Sequence, residues 1–191
     1  VGENLVLGLG KETKENEFGG VQTTGLKVSL FDVSDVKNPI ERDKYVIEGQ
    51  STDSLALREH KAFLFDKEKE LLVIPVSESL SDSNQFSYPY RYWQGAYVFT
   101  VSEEEIELRG KIAHEEESQN YWYSSPSAVQ RALYIEDVLY TLSEKKILMN
   151  NLEDLEDLGS IDLNYVPEEY EFYPYYAEER AVEVDGALIE G

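Results

Sequence analysis

Two histidines, His60 and His114, are the first residues to question for metal or general-base chemistry. Neither stands in a His-x-x-x-His or His-Glu-x-x-His spacing, the arrangements that turn two imidazoles toward one zinc ion. His60 opens a short apolar stretch, where a packed or hydrogen-bonded ring is expected rather than a catalytic one. There is no cysteine, so thiolate nucleophiles, thiolate zinc sites and disulfides are excluded. No Gly-x-Ser-x-Gly elbow appears. Gly8-Leu9-Gly10 lacks the later glycine of a dinucleotide loop, and no Asp-x-Asp-x-Asp-Gly calcium loop is present. Acids are abundant, at 39 against 17 basic residues, so chance carboxylate pairs are expected. A glycosidase dyad would need two of them roughly 5–10 Å apart in a concave pocket. Asp32 and Asp35 flank Val33-Ser34 at a strand end, where capping of turn N–H groups is their expected role. The sequence thus points to no catalytic residue, no metal site and no cofactor.

The net charge of −22 argues against a nucleic-acid partner, whose phosphates would be repelled. It disfavours anionic membrane surfaces for the same reason. No apolar run approaches membrane-spanning length, so direct membrane insertion by this segment is not expected. Neutral or basic partners, protein or glycan, remain. Hydrophobic content of 41% over 191 residues is enough for a folded domain with a real core.

The elements that must position any site come from one recurring hairpin. Residues 61–76 read as two apolar strands, 62–65 and 71–76, around a charged turn at 66–70. Arg131-Ala-Leu-Tyr-Ile-Glu-Asp-Val-Leu-Tyr repeats the pattern, and Arg180-Ala-Val-Glu-Val-Asp-Gly-Ala-Leu repeats it again. The chain opens in mid-pattern, with residues 1–4 as the turn and 5–8 as the second strand. Further strands are expected at 26–33, 40–47, 95–101, 106–112, 146–150 and 155–163. A helix over 148–158 competes for the last pair, because leucines fall at 148, 152, 155 and 158. Four short strands per unit, repeated, are the signature of β-propeller blades. The expected class is therefore all-β: blades of four antiparallel strands, incomplete at about three blades. Within one propeller domain over 1–191, blade 1 covers about 1–48, blade 2 about 60–112 and blade 3 about 130–163. A fourth blade starts at about 180–191. A total of 3 + 4 + 4 + 2 strands is too few to close a ring alone, since closed propellers take about four to eight blades. The missing blades are expected in further sequence or another chain. The basic starts Lys61, Arg131 and Arg180 are expected to pair with acids of neighbouring blades.

Leu26-Lys-Val-Ser-Leu-Phe-Asp-Val-Ser-Asp-Val-Lys-Asn-Pro39 resembles a segment written LKISLFDVSDPxNP in one family. His60-Lys-Ala-Phe-Leu-Phe65 with Leu72-Val-Ile-Pro-Val-Ser77 resembles its HKAFLFD…LLxxPVS segment. Gln94-Gly-Ala-Tyr-Val-Phe99 and Arg131-Ala-Leu-Tyr-Ile135 fit its next strands. The family is the secreted prokaryotic proteins with a C-terminal β-propeller domain, distantly similar to WD40 repeats. The resemblance runs from about Leu5 to Leu163. It implies a propeller and an extracellular or cell-surface setting, and it transfers no catalytic residues.

Alternate connections of an antiparallel blade leave from opposite ends. One end therefore collects the long segments 10–25, 48–59, 77–94, 113–126 and 164–179, and the other the short turns. The long segments carry the unusual aromatics, and Tyr and Trp offer large rigid contact area with a polar tip. Tyr90, Tyr92, Trp93, Trp122 and Tyr173 are the candidate binding residues. The expectation is a non-catalytic extracytoplasmic binding or scaffold module whose partner is a surface protein or glycan, or the missing blades of the same protein. The alternatives are a carboxylate-dependent hydrolase of glycans and a structural cell-surface component.

Overall fold

A computed structural model describes residues 1–80, 92–115 and 125–166. These residues form three antiparallel sheets. β1 (Leu5–Glu15), β2 (Val21–Asp32) and β3 (Ile40–Glu48) make a three-stranded sheet. A second sheet runs in the order β4 (Leu64–Asp66), β5 (Leu71–Ser79), β6 (Tyr92–Val101) and β7 (Ile106–Ala113). The third contains β8 (Arg131–Ile135), β9 (Val138–Leu142), β10 (Lys146–Asn151) and β11 (Asp157–Asp162), again with sequential neighbours. The architecture is that of an incomplete β-propeller.

The middle sheet shows why the residues fall this way. Leu71-Leu-Val-Ile-Pro-Val is a continuous apolar run rather than an alternating one, as a strand covered on both faces requires. Its alternate residues part company. Leu72, Ile74 and Val76 join Tyr97, Phe99 and Val101 against Leu26, Val28 and Leu30 of the first sheet. Leu71, Val73, Ala96 and Val98 face the third sheet and Leu139. Tyr45, Phe99, Tyr97 and Trp93 continue the first interface as a chain of ring contacts, with centroids 5.1, 5.9 and 5.5 Å apart.

Polar side chains lock the second and third sheets together. Arg109 on β7 donates to Thr100 Oγ1 and to the Leu152 carbonyl at 2.8 Å. The Tyr134 hydroxyl on β8 donates to Asp66. His114, just after β7, lies 2.9 Å from both Ser143 Oγ and Thr141 Oγ1. The expected basic starts do not serve this purpose. Among the described residues Lys61 and Arg131 make no ion pair, and both are exposed. Arg180 and the fourth hairpin lie outside the described residues.

Several boundaries depart from expectation. The hairpin strand begins at Leu64, because Glu59 accepts from the Lys61 N–H and starts a 3-10 turn over His60–Ala62. His60 is accordingly solvent-exposed rather than packed. Residues 10–25 are not a loop. β1 and β2 run on as a two-stranded ribbon to a turn at 16–20, where Asn16 Oδ1 accepts from the Phe18 and Gly20 N–H groups. A ribbon standing clear of its sheet needs no apolar face, so its polar sequence concealed it. β5 runs on to Ser79 and β6 starts at Tyr92, which shortens the 77–94 connection. Residues 151–156 form a turn with Leu155 at φ 63°, so the helix over 148–158 does not form. The turn roles of Asp32 and Asp35 hold. Asp32 Oδ1 accepts from the Ser34 N–H and Asp35 Oδ1 from the Lys37 N–H, at 2.9 and 3.0 Å. Hydrogen bonds from Ser34 and Asn38 keep both carboxyls below their ordinary range.

Candidate functional site

The long connection from β3 to β4 carries the most deeply buried polar run of the described chain, Thr52-Asp53-Ser54. Each member has work there. Thr52 Oγ1 donates to the Glu48 carbonyl and accepts from the Ser79 N–H. Asp53 and Ser77 exchange both backbone hydrogen bonds at 2.9 Å, which adds the connection to the edge of β5. Ser54 Oγ donates to the Pro75 carbonyl at 2.6 Å and accepts from the Ala56 N–H, capping a 3-10 helix at Leu55–Leu57.

The Asp53 carboxylate is 1% exposed and meets two cations. Lys11 Nζ of β1 lies 2.6 Å from Oδ1 and donates to the Thr52 carbonyl, while Arg58 donates to Oδ2. A buried carboxylate needs such partners, since desolvating it alone would cost several kcal/mol. β1 is thereby tied, at the edge of the three-stranded part of its sheet, to the connection and to the middle sheet.

Beside this run lies a cavity of about 280 Å³. Asp53, Leu55, Pro75, Val76 and Ser77 line one side, and Gln94 stands opposite Ser77 across the β5–β6 ladder. Ser125, Ala128, Val129 and Gln130, in the connection from β7 to β8, close the other side. The cavity therefore opens at the end of the blades where the long connections gather. Its walls carry hydroxyls, side-chain amides and one charge-balanced carboxylate over an apolar floor, a lining suited to holding a ligand. A small cleft continues from it past Gln94 to Glu115 and Ser127. There the Ser127 hydroxyl bond holds the Glu115 carboxyl below its ordinary range, with Lys145 at 3.2 Å adding to the effect. His114 is 5% exposed, and burial pushes its pKa down to about 4, with Lys146 nearby reinforcing the shift.

The expected binding residues fare differently. Tyr92 is half-buried and shares the strand face of Gln94, two residues nearer the start of β6. Trp93 is also half-buried, on the opposite face. Its ring meets Tyr97 edge-to-face and lies under the Lys111 ammonium, 5.2 Å from the centroid. Lys111 also pairs with Glu78 at 2.8 Å, and Glu78 accepts from the Tyr97 hydroxyl. Burial, reinforced by Glu78, raises the pKa of Tyr97. Gly95 makes room for the Trp93 ring: a Cβ there would stand 2.6 Å from it and 2.2 Å from the Ile112 carbonyl oxygen. Tyr90, Trp122 and Tyr173 lie outside the described residues. The cavity itself was missed in the sequence, because Gln94, Gln130 and Asp53 come from segments that only the fold brings together.

The Beta propeller domain family matches residues 1–155. This chain belongs to that family. It is 32% identical over 174 residues to an uncharacterized protein of Methanocaldococcus jannaschii, covering 90% of the chain and 22% of the relative. It is 26% identical over 163 residues to an uncharacterized protein of Archaeoglobus fulgidus, covering 85% of the chain and 20% of the relative. The propeller segment thus spans about a fifth of the length of these curated relatives. No solved structure matches it.

Proposed function

We propose that this propeller segment is a non-catalytic binding or scaffold module working outside the cytoplasm. The observation that carries the reading is the cavity at the long-connection end, walled by amides, hydroxyls and a carboxylate already neutralised by Lys11 and Arg58. The extracytoplasmic setting rests on the resemblance to secreted prokaryotic propeller proteins. The partner is a protein or glycan of the cell surface, met by Tyr90, Tyr92, Trp93, Trp122 and Tyr173, with Trp93 acting through the packing that holds β6. Further blades of the same protein are a second kind of partner. Leu133, Ile135 and Ile161 are 41, 58 and 52% exposed on the third sheet, and exposed apolar area on a sheet invites a neighbour.

The test is retention from native envelope extract by the full chain. Wild type retains a partner, and Tyr92→Ala combined with Trp122→Ala loses it at unchanged Tm. Equal retention by the double variant refutes the role of this end of the blades.

A further inference from the structure

We infer that the cavity between the two long connections takes a neutral, hydroxyl-rich ligand, one sugar ring of a glycan. The inference rests on the binding-module reading and names the ligand class of that site.

Size sets the first limit. A cavity of about 280 Å³ is at the lower end of the roughly 300–1,000 Å³ usual for small-molecule sites, so it suits one ring-sized group. Charge sets the second. Among the described residues Asp53 is the carboxylate of the wall, and both the Lys11 ammonium and the Arg58 guanidinium meet it. A cationic ligand group would meet two cations against one carboxylate, and any charged group would lose part of its hydration on entry. An anionic ligand faces in addition the field of a chain with net charge −22.

Hydrogen-bond chemistry sets the third. The wall is lined by the amides of Gln94 and Gln130, whose Nε2 groups also meet Ser77 Oγ at 3.4 Å and Glu144 Oε1 at 3.0 Å, and by the hydroxyls of Ser77 and Ser125, all groups that can both donate and accept. Sugar hydroxyls are likewise both donors and acceptors. Leu55, Pro75, Val76, Ala128 and Val129 supply apolar surface for the C–H face of a ring. Tyr92, on the strand face of Gln94 and two residues nearer the start of β6, would meet the next ring. Gln94 is fixed in the ladder opposite Ser77, its Nε2 3.4 Å from Ser77 Oγ, so the polar wall is held before any ligand arrives.

The experiment is NMR titration of the full chain, following the side-chain amide signals of Gln94 and Gln130. The probes are glucose, galactose and N-acetylglucosamine, with glucuronate and N-acetylglycine methylamide for comparison. At least one neutral sugar shifts these signals at millimolar concentration, and glucuronate and the amide bind more weakly. Gln94→Leu weakens binding about tenfold, the worth of one hydrogen bond. Gln94 is buried, so Gln130→Ala provides a second variant on a more open side chain, with the same direction of effect. Equal or tighter binding of glucuronate overturns the charge argument, and tighter binding of the amide overturns the sugar assignment. No shift with any neutral sugar also overturns the ligand class. If the envelope partner is still retained in that case, the binding-module reading survives; if retention fails as well, both fall.

Discussion

Lowering the pH should destabilise this protein through His114 before its carboxylates titrate. The ring is buried between the second and third sheets, with Ser143 and Thr141 at its two nitrogens. Its pKa is pushed from 6.5 to about 4, first by burial and then by Lys146, while Glu115 pulls weakly the other way. Below pH 6.5 the unfolded ring takes a proton that the folded ring refuses. The unfolded state then binds more protons, so stability falls as pH falls from 6.5 toward 4. Between about pH 7 and about pH 5 the linkage relation gives a loss of about 2 kcal/mol. The lowered carboxyls of Glu12, Glu41 and Glu115 lose their contribution only below the ordinary value of 4.5, so the higher window belongs to the histidine. The assay is urea unfolding across that range for wild type and His114→Gln, whose amide can still meet a hydroxyl but does not titrate. The urea midpoint of wild type should fall between the two pH values, and that of the variant should hold nearly steady. An equal loss in both proteins, or an NMR titration placing His114 near 6.5, refutes the reasoning.

Gly95→Ala should cost about 1–3 kcal/mol, the usual range for overpacking, because its Cβ would press on both the Trp93 ring and the Ile112 carbonyl. Urea midpoints check it, and a neutral result would mean that both the Trp93 ring and the β7 backbone at Ile112 give way freely. Arg109→Ala should cost about 1.5–3 kcal/mol, the worth of hydrogen bonds to a charged group. The loss should appear first as faster amide exchange in the turn around Leu152, whose carbonyl Arg109 holds; unchanged exchange there would remove Arg109 as a lock between sheets.

The strand order was legible because apolar runs and acidic turns recur, and a sheet covered on both faces leaves few alternatives for Leu71-Leu-Val-Ile-Pro-Val. What misled was polarity. Residues 10–25 look like a loop, yet a two-stranded ribbon satisfies its own backbone without any apolar residue. Thr52-Asp53-Ser54 looks like solvated linker, yet all three are buried. Their burial depends on Lys11 and the Pro75 carbonyl, far along the chain, and no local pattern announces such partners. The basic residue at the head of each hairpin was a real regularity, but the described ion pairs between the second and third sheets are Lys69–Asp137 and Lys145–Glu115, and hydrogen bonds of Arg109, Tyr134 and His114 add to them.

The aromatics show how secondary structure decides a role that composition leaves open. Read as loop residues, Tyr92 and Trp93 form one patch. As the first two residues of β6 they point to opposite faces of the sheet. Trp93 is drawn into the chain of rings through Tyr97, with Lys111 above it and the bare backbone of Gly95 beneath. Removing it would therefore disturb the fold as well as any partner. Tyr92 remains on the face of Gln94, where its loss can be read as a loss of binding. The earlier start of the strand, at Tyr92 rather than Gly95, thus separates the tyrosine that reports on a ligand from the tryptophan that reports on packing.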